Sequence, residues 1–102
     1  MYDVYIAEVI GNCELLYQIG NYEKLKQFAE YALAIAQEKQ DLISAQRFAC
    51  FIGSSMARLG YKKDDAMPYL AMGYYTAMLF ENQADQDLMQ ALAREHYGVD
   101  FE

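Results

Sequence analysis

The sequence predicts an all-α protein, built as two antiparallel helical hairpins followed by a closing C-terminal helix. Three observations predict it. Helix breakers are scarce, with one proline and six glycines in 102 residues, in a chain rich in Ala, Leu, Met, Gln and Glu, which favour helix. Apolar residues recur at three- and four-residue spacing along most of the chain. Gly20 and Gly60 each stand between two such stretches, where glycine supplies the left-handed turn after a helix without a Cβ penalty.

The elements follow in order. The first helix spans about 3–19, with Ile6, Val9, Ile10, Cys13, Leu16 and Ile19 as its apolar side. The second spans about 22–39, striped by Leu25, Phe28, Ala29, Ala32, Ile35 and Ala36. Asp41 is the expected N-cap of the third, which runs to about 59 with Ala45, Phe48, Ala49, Ile52, Met56 and Leu59 inward. The fourth is expected from about 65 to 81, with Asp65 as N-cap. That placement leaves Pro68 in the first turn, where its missing N–H costs little. The fifth is expected from about 84 to 97, with Asp85 and Asp87 suiting its N-terminal dipole and Gly98 stopping it. Leu88, Leu92 and Tyr97 form its apolar edge. All connections are short, as antiparallel neighbours require. Ala32, Ala36, Ala49 and Gly53 would let helix axes approach closely. Gly11 and Gly73 lie inside helices at a cost of about 1 kcal/mol each against alanine, so close packing is expected at both.

Length and patterning give one domain over 1–102. Lys and Arg number 8 against 15 for Asp and Glu, a net charge of −7. That balance argues against nucleic-acid binding, which needs clustered cations. No apolar run approaches the ~18 residues of a membrane span, and Asp3 and Glu8 stand where a signal peptide would carry lysines. A soluble cytoplasmic protein is expected. Cys13 and Cys50 lie in apolar helical stretches and read as buried thiols. His96 has no second histidine. No nucleophile–base pair, phosphate-cradling loop or zinc spacing is present, so neither an enzyme nor a cofactor or metal protein is expected.

The segments NCELLYQIGNYEKLKQFAEYALAIA and FIGSSMARLGYKKDDAMPYLAMGYYTA resemble the tetratricopeptide repeat. In the first, the Gly20-Asn21-Tyr22 turn, Leu25, Ala29 and Ala32 match the family's turn and packing positions. In the second, Ile52-Gly53 matches the Leu-Gly pair. Gly60, Ala66, Leu70 and Gly73 match the turn and second helix when one residue is inserted after the turn. The chain departs from the pattern in having Asn12-Cys13 at the first Leu-Gly pair, no tryptophan, no closing proline, and a period of 40 residues where 34 is usual. With its Gln37-Glu38-Lys39-Gln40-Asp41 linker it is similar to the C-terminal repeat domains of peptide-responsive helix-turn-helix regulators of Firmicutes. The resemblance implies repeats of about 3–39 and 41–81 in a right-handed α-α superhelix. It further implies a capping helix, peptide binding and dimerisation; no DNA-binding segment matches.

In that fold the first helix of each hairpin lines a concave face. The matching positions are Ala7, Ile10, Glu14, Tyr17 and Gln18, then Arg47, Cys50, Ser54, Ala57 and Arg58. Arg47, Ser54 and Arg58 fall on one helical stripe, and arginine's planar fork suits carboxylates. Tyr17 and Phe51 would wall a groove that takes an acidic side chain or a C-terminal carboxylate of a peptide. The alternative is a solvated face whose arginines pair with Glu14 and other carboxylates. Ten tyrosines are many for this length. Tyr69, Tyr74 and Tyr75, with Met72 and Met78, mark the fourth helix either as a self-association surface of a homo-oligomer or as filling against the fifth. The charge cluster Lys62-Lys63-Asp64-Asp65 and the acid-rich C-terminal end read as solvated surface. A homodimerisation module without a peptide groove, and a small ligand-binding helical bundle, are the rival readings.

Overall fold

The computed structural model describes residues 2–101, with side chains from residue 5 onward. Asp3, counted above against a signal peptide, lies outside the described side chains. Among the described residues the chain is five α-helices and no strand: α1 Tyr2–Ile19, α2 Tyr22–Glu38, α3 Leu42–Arg58, α4 Lys63–Leu79 and α5 Gln83–Tyr97.

Helix starts follow local chemistry. Asp41 caps α3 by accepting from the Ser44 backbone N–H at 3.2 Å and from the Ser44 hydroxyl at 2.7 Å. Asn21 and Asn82 cap α2 and α5 in the same way, accepting from the N–H groups of Lys24 and Asp85. The start of α4 differs from expectation. Its N-cap is Lys62, with no side-chain bond, rather than Asp65. The Asp65 and Ala66 N–H groups both donate to the Lys62 carbonyl, at 3.0 and 3.1 Å, so the backbone itself closes the first turn earlier. Pro68 therefore sits in the second turn. It withdraws a hydrogen bond from the Asp64 carbonyl, but Asp64 and Pro68 are both exposed, so water can serve that carbonyl.

Helix ends share one device. Gly20, Gln40, Gly60 and Glu81 all adopt left-handed backbone, with φ of 79°, 58°, 81° and 58°. After each, the next N–H reaches five residues back, as Asn21 N–H to the Leu16 carbonyl at 3.0 Å and Asn82 N–H to Ala77 at 2.8 Å. The turns thus recur about every 20 residues, and two of the four use residues other than glycine. Gly98, at φ 65°, ends α5 as expected.

α3 is the centre of the molecule. It packs against α1, α2, α4 and α5, whereas the backbones of α2 and α4 do not approach each other closely. The odd-numbered helices therefore form one row, with α2 and α4 on its other side. Two glycines permit the closest approaches. A Cβ on Gly53 would lie 3.1 Å from the Leu70 backbone nitrogen, and one on Gly73 would lie 2.8 Å from Cys50 Sγ. Gly11 is different: nothing lies within 4 Å of its would-be Cβ, so the close packing expected there is absent. Ile19 and Phe28 are also exposed rather than inward. They lie on α1 and α2, which pack only on each other and on α3. Past Gly98 the chain folds back. The Phe101 N–H donates to Gln90 Oε1 at 3.0 Å, and its ring stacks on Tyr74 at 4.6 Å.

Candidate functional site

The row of odd-numbered helices carries an open groove of about 310 Å3. α1 contributes Glu14, Tyr17 and Gln18, α3 contributes Arg47 and Phe51, and α5 contributes Asp85 and Leu88. Glu14, Tyr17 and Gln18 are spaced to share one side of α1, and α3 turns Arg47 and Phe51, four residues apart, toward them. Tyr17 lies 6.5 Å from Phe51 and 5.9 Å from Tyr22, centroid to centroid. These rings form an aromatic wall.

The two arginines of the α3 stripe have different fates. Arg47 is spent within the fold. Its guanidinium donates to Glu14 at 2.9 Å and to Asp85 at 3.2 Å, and it lies 5.3 Å from the Phe51 centroid. Asp85 also accepts from Gln46 Nε2 at 2.8 Å and Asn82 Nδ2 at 3.0 Å. Glu14, Arg47, Asp85, Gln46 and Asn82 thus form one polar network across α1, α3 and the start of α5. Arg58 does not itself line the groove; it flanks it through its contact with Tyr17. It donates to the Tyr17 hydroxyl through Nε at 3.2 Å and Nη2 at 2.8 Å, over the Tyr17 and Tyr22 rings. It has no carboxylate partner among the described residues.

Ser54 does not reach the groove. It is 1% exposed, because a short side chain at this level of α3 ends beneath the helices packed around it. The stripe of Arg47, Ser54 and Arg58 is therefore two arginines separated by a covered serine. Asp85 and Leu88 join the site although the sequence marked them otherwise, and Tyr22 stands beside it against Tyr17. Asp85 reads as a dipole partner and Leu88 as core edge until α5 is placed beside α3.

On α4 the five residues expected at a self-association surface also divide. Tyr74 is buried under Phe101, so it fills the α4–α5 gap. Tyr69 is half-buried. Met72, Tyr75 and Met78 are exposed. The thiols are unpaired and buried. Burial pushes Cys13 up to about 11 and Cys50 up to about 12, so both are protonated at neutral pH and unsuited to nucleophilic work. Among the described residues no three His, Cys, Asp or Glu side chains are placed to hold a metal ion. No described helix is long and apolar enough to cross a membrane.

Comparison of the chain with family models, curated proteins and solved structures finds no match.

Proposed function

We propose that this chain is a helical-repeat interaction module of tetratricopeptide-like hairpins, which binds a peptide or protein segment in the groove along α1, α3 and α5. The observation that carries this reading is Arg58. Its guanidinium is exposed, oriented by Tyr17 and Tyr22, and free of any described carboxylate at the edge of an aromatic-walled groove. Preorganised cations of this kind bind carboxylates at lower entropic cost than mobile ones. The near-20-residue spacing of the turns and the row of alternate helices support the repeat reading. By its resemblance, the module would serve as the ligand-sensing part of a bacterial transcriptional regulator.

Panning a library of short peptides with free C-termini tests the proposal. Enriched peptides should carry a carboxylate beside an apolar residue. Arg58→Ala should weaken them about tenfold or more, the scale of one charge-assisted hydrogen bond, while the variant stays folded with a melting temperature lowered by a few degrees at most, since its contacts with Tyr17 and Tyr22 are exposed. The absence of any enriched peptide, or an affinity indifferent to both Arg58→Ala and Arg58→Glu, would remove the groove assignment.

A further inference from the structure

A second groove lies away from the first, between the α2–α3 turn and the C-terminal half of α4. Leu42, Ala45, Met72, Thr76, Leu79 and Phe80 line most of it, enclosing about 170 Å3. A cavity of about 150 Å3 admits a benzene-sized group, so one apolar side chain fits. Leu79 is 72% exposed, Leu42 60% and Met72 37%. No charged residue lines the groove, in a chain that is 23% charged. Of its polar side chains, Gln46 already donates to Asp85 and Cys50 and Thr76 to the Met72 carbonyl, and the exposed Gln37 amide completes the lining.

The chain that flanks this groove carries more acids than bases. Glu38 ends α2, Lys39 and Asp41 stand in the α2–α3 turn, and Glu81 stands in the α4–α5 turn. Asp41 is held in place by its cap on Ser44. The whole chain stands at −7.

We infer that this groove docks an amphipathic helix of another protein, with a leucine-sized side chain seated in the groove and lysine or arginine on its flanks. Helix-in-groove recognition supplies the apolar anchor, and the flanking acids supply complementary charge that steers encounter and rejects acidic partners. A second copy of this chain fits less well, because an isologous contact brings two acidic rims together. The inference is independent of the peptide groove on α1, α3 and α5.

The test uses the full chain and two labelled 18-residue peptides, one of leucines at helical spacing with lysines between them, the other with glutamates in place of lysine. Fluorescence anisotropy should show binding of the lysine peptide at least tenfold tighter than the glutamate peptide. Leu79→Asp should weaken the lysine peptide tenfold or more, although it makes the protein more acidic. Diffuse electrostatic attraction predicts the opposite direction for that variant, so unchanged or tighter binding overturns the inference. Leu42→Asp, on the facing wall, should repeat the loss, and the paired change Glu38→Gln with Glu81→Gln should weaken binding several-fold at low salt. Equal binding of both peptides, or of neither, also overturns it. So does light scattering that finds a dimer dissolved by Leu79→Asp, because the occupant is then a second copy.

Discussion

Gly11 and Gly73 look alike in the sequence and are opposites in the fold. Each lies within a helix, where glycine costs about 1 kcal/mol against alanine. At Gly11 a methyl group meets open space, so the backbone term acts alone. At Gly73 the same methyl would lie 2.8 Å from Cys50 Sγ and 3.1 Å from Met89 Sδ. Gly11→Ala should therefore stabilise the protein by about 1 kcal/mol. Gly73→Ala should destabilise it by roughly 1–3 kcal/mol, the range for overpacking a filled core. Urea titration of the two variants checks the difference in sign. A destabilised Gly11→Ala would mean that another surface covers this side of α1 in solution. The sequence carries the helical periodicity that places both glycines in helices; it does not carry what faces each of them.

At the scale of the elements, the turns decide the architecture. Gly20 and Gly60 announce two of them because glycine tolerates left-handed backbone. Gln40 and Glu81 adopt the same conformation at φ 58° without that advantage, and neither is legible as a turn residue by its type. What holds them there is the bonding on either side. The Asp41 and Asn82 N–H groups close back onto Ala36 and Ala77, and the next helix is capped at once. A non-glycine residue in this region carries a penalty of roughly 1–2 kcal/mol, part of which glycine returns through the entropy of the unfolded chain. Gln40→Gly should thus stabilise by about 1 kcal/mol, raising the melting temperature about 4–8 °C for a domain of this size. Glu81→Gly should behave alike, and no rise in a thermal melt of either variant would contradict this account of the turns. The α4 start shows the converse. Asp65 has the side chain of a good cap, but the helix already runs through it from Lys63.

Across the whole molecule, Arg47 connects helices that are distant in the chain. It joins Glu14 of α1 to Asp85 of α5 through α3. Its two partners differ in surroundings: the Asp85 side chain is 13% exposed and that of Glu14 is 52%. An exposed ion pair contributes little, about 0–1 kcal/mol, whereas removing a partner from a buried carboxylate leaves that charge poorly compensated. Arg47→Ala should therefore cost roughly 2–3 kcal/mol, and Glu14→Gln less than about 1 kcal/mol. Denaturant midpoints of the two variants, measured at one pH and salt concentration, test the ordering. Equal losses would show that the network is not organised around Asp85.

The chain's own pattern determined that it is helical, about where its five helices lie, and that Asp41 and Gly98 bound two of them. These are local matters, settled by side-chain spacing and by bonds that reach three to six residues along the backbone. Tertiary structure alone decided the partners of the charged and aromatic groups. Arg47 is paired with residues 33 and 38 positions away, Arg58 rests on Tyr17 41 positions away, and Phe101 covers Tyr74. A linear pattern shows which face of a helix such a side chain occupies, but the face it meets is chosen by packing against helices from elsewhere in the chain. That choice leaves Arg58 rather than Arg47 unpaired beside the groove, and it leaves Leu42, Met72 and Leu79 open to solvent.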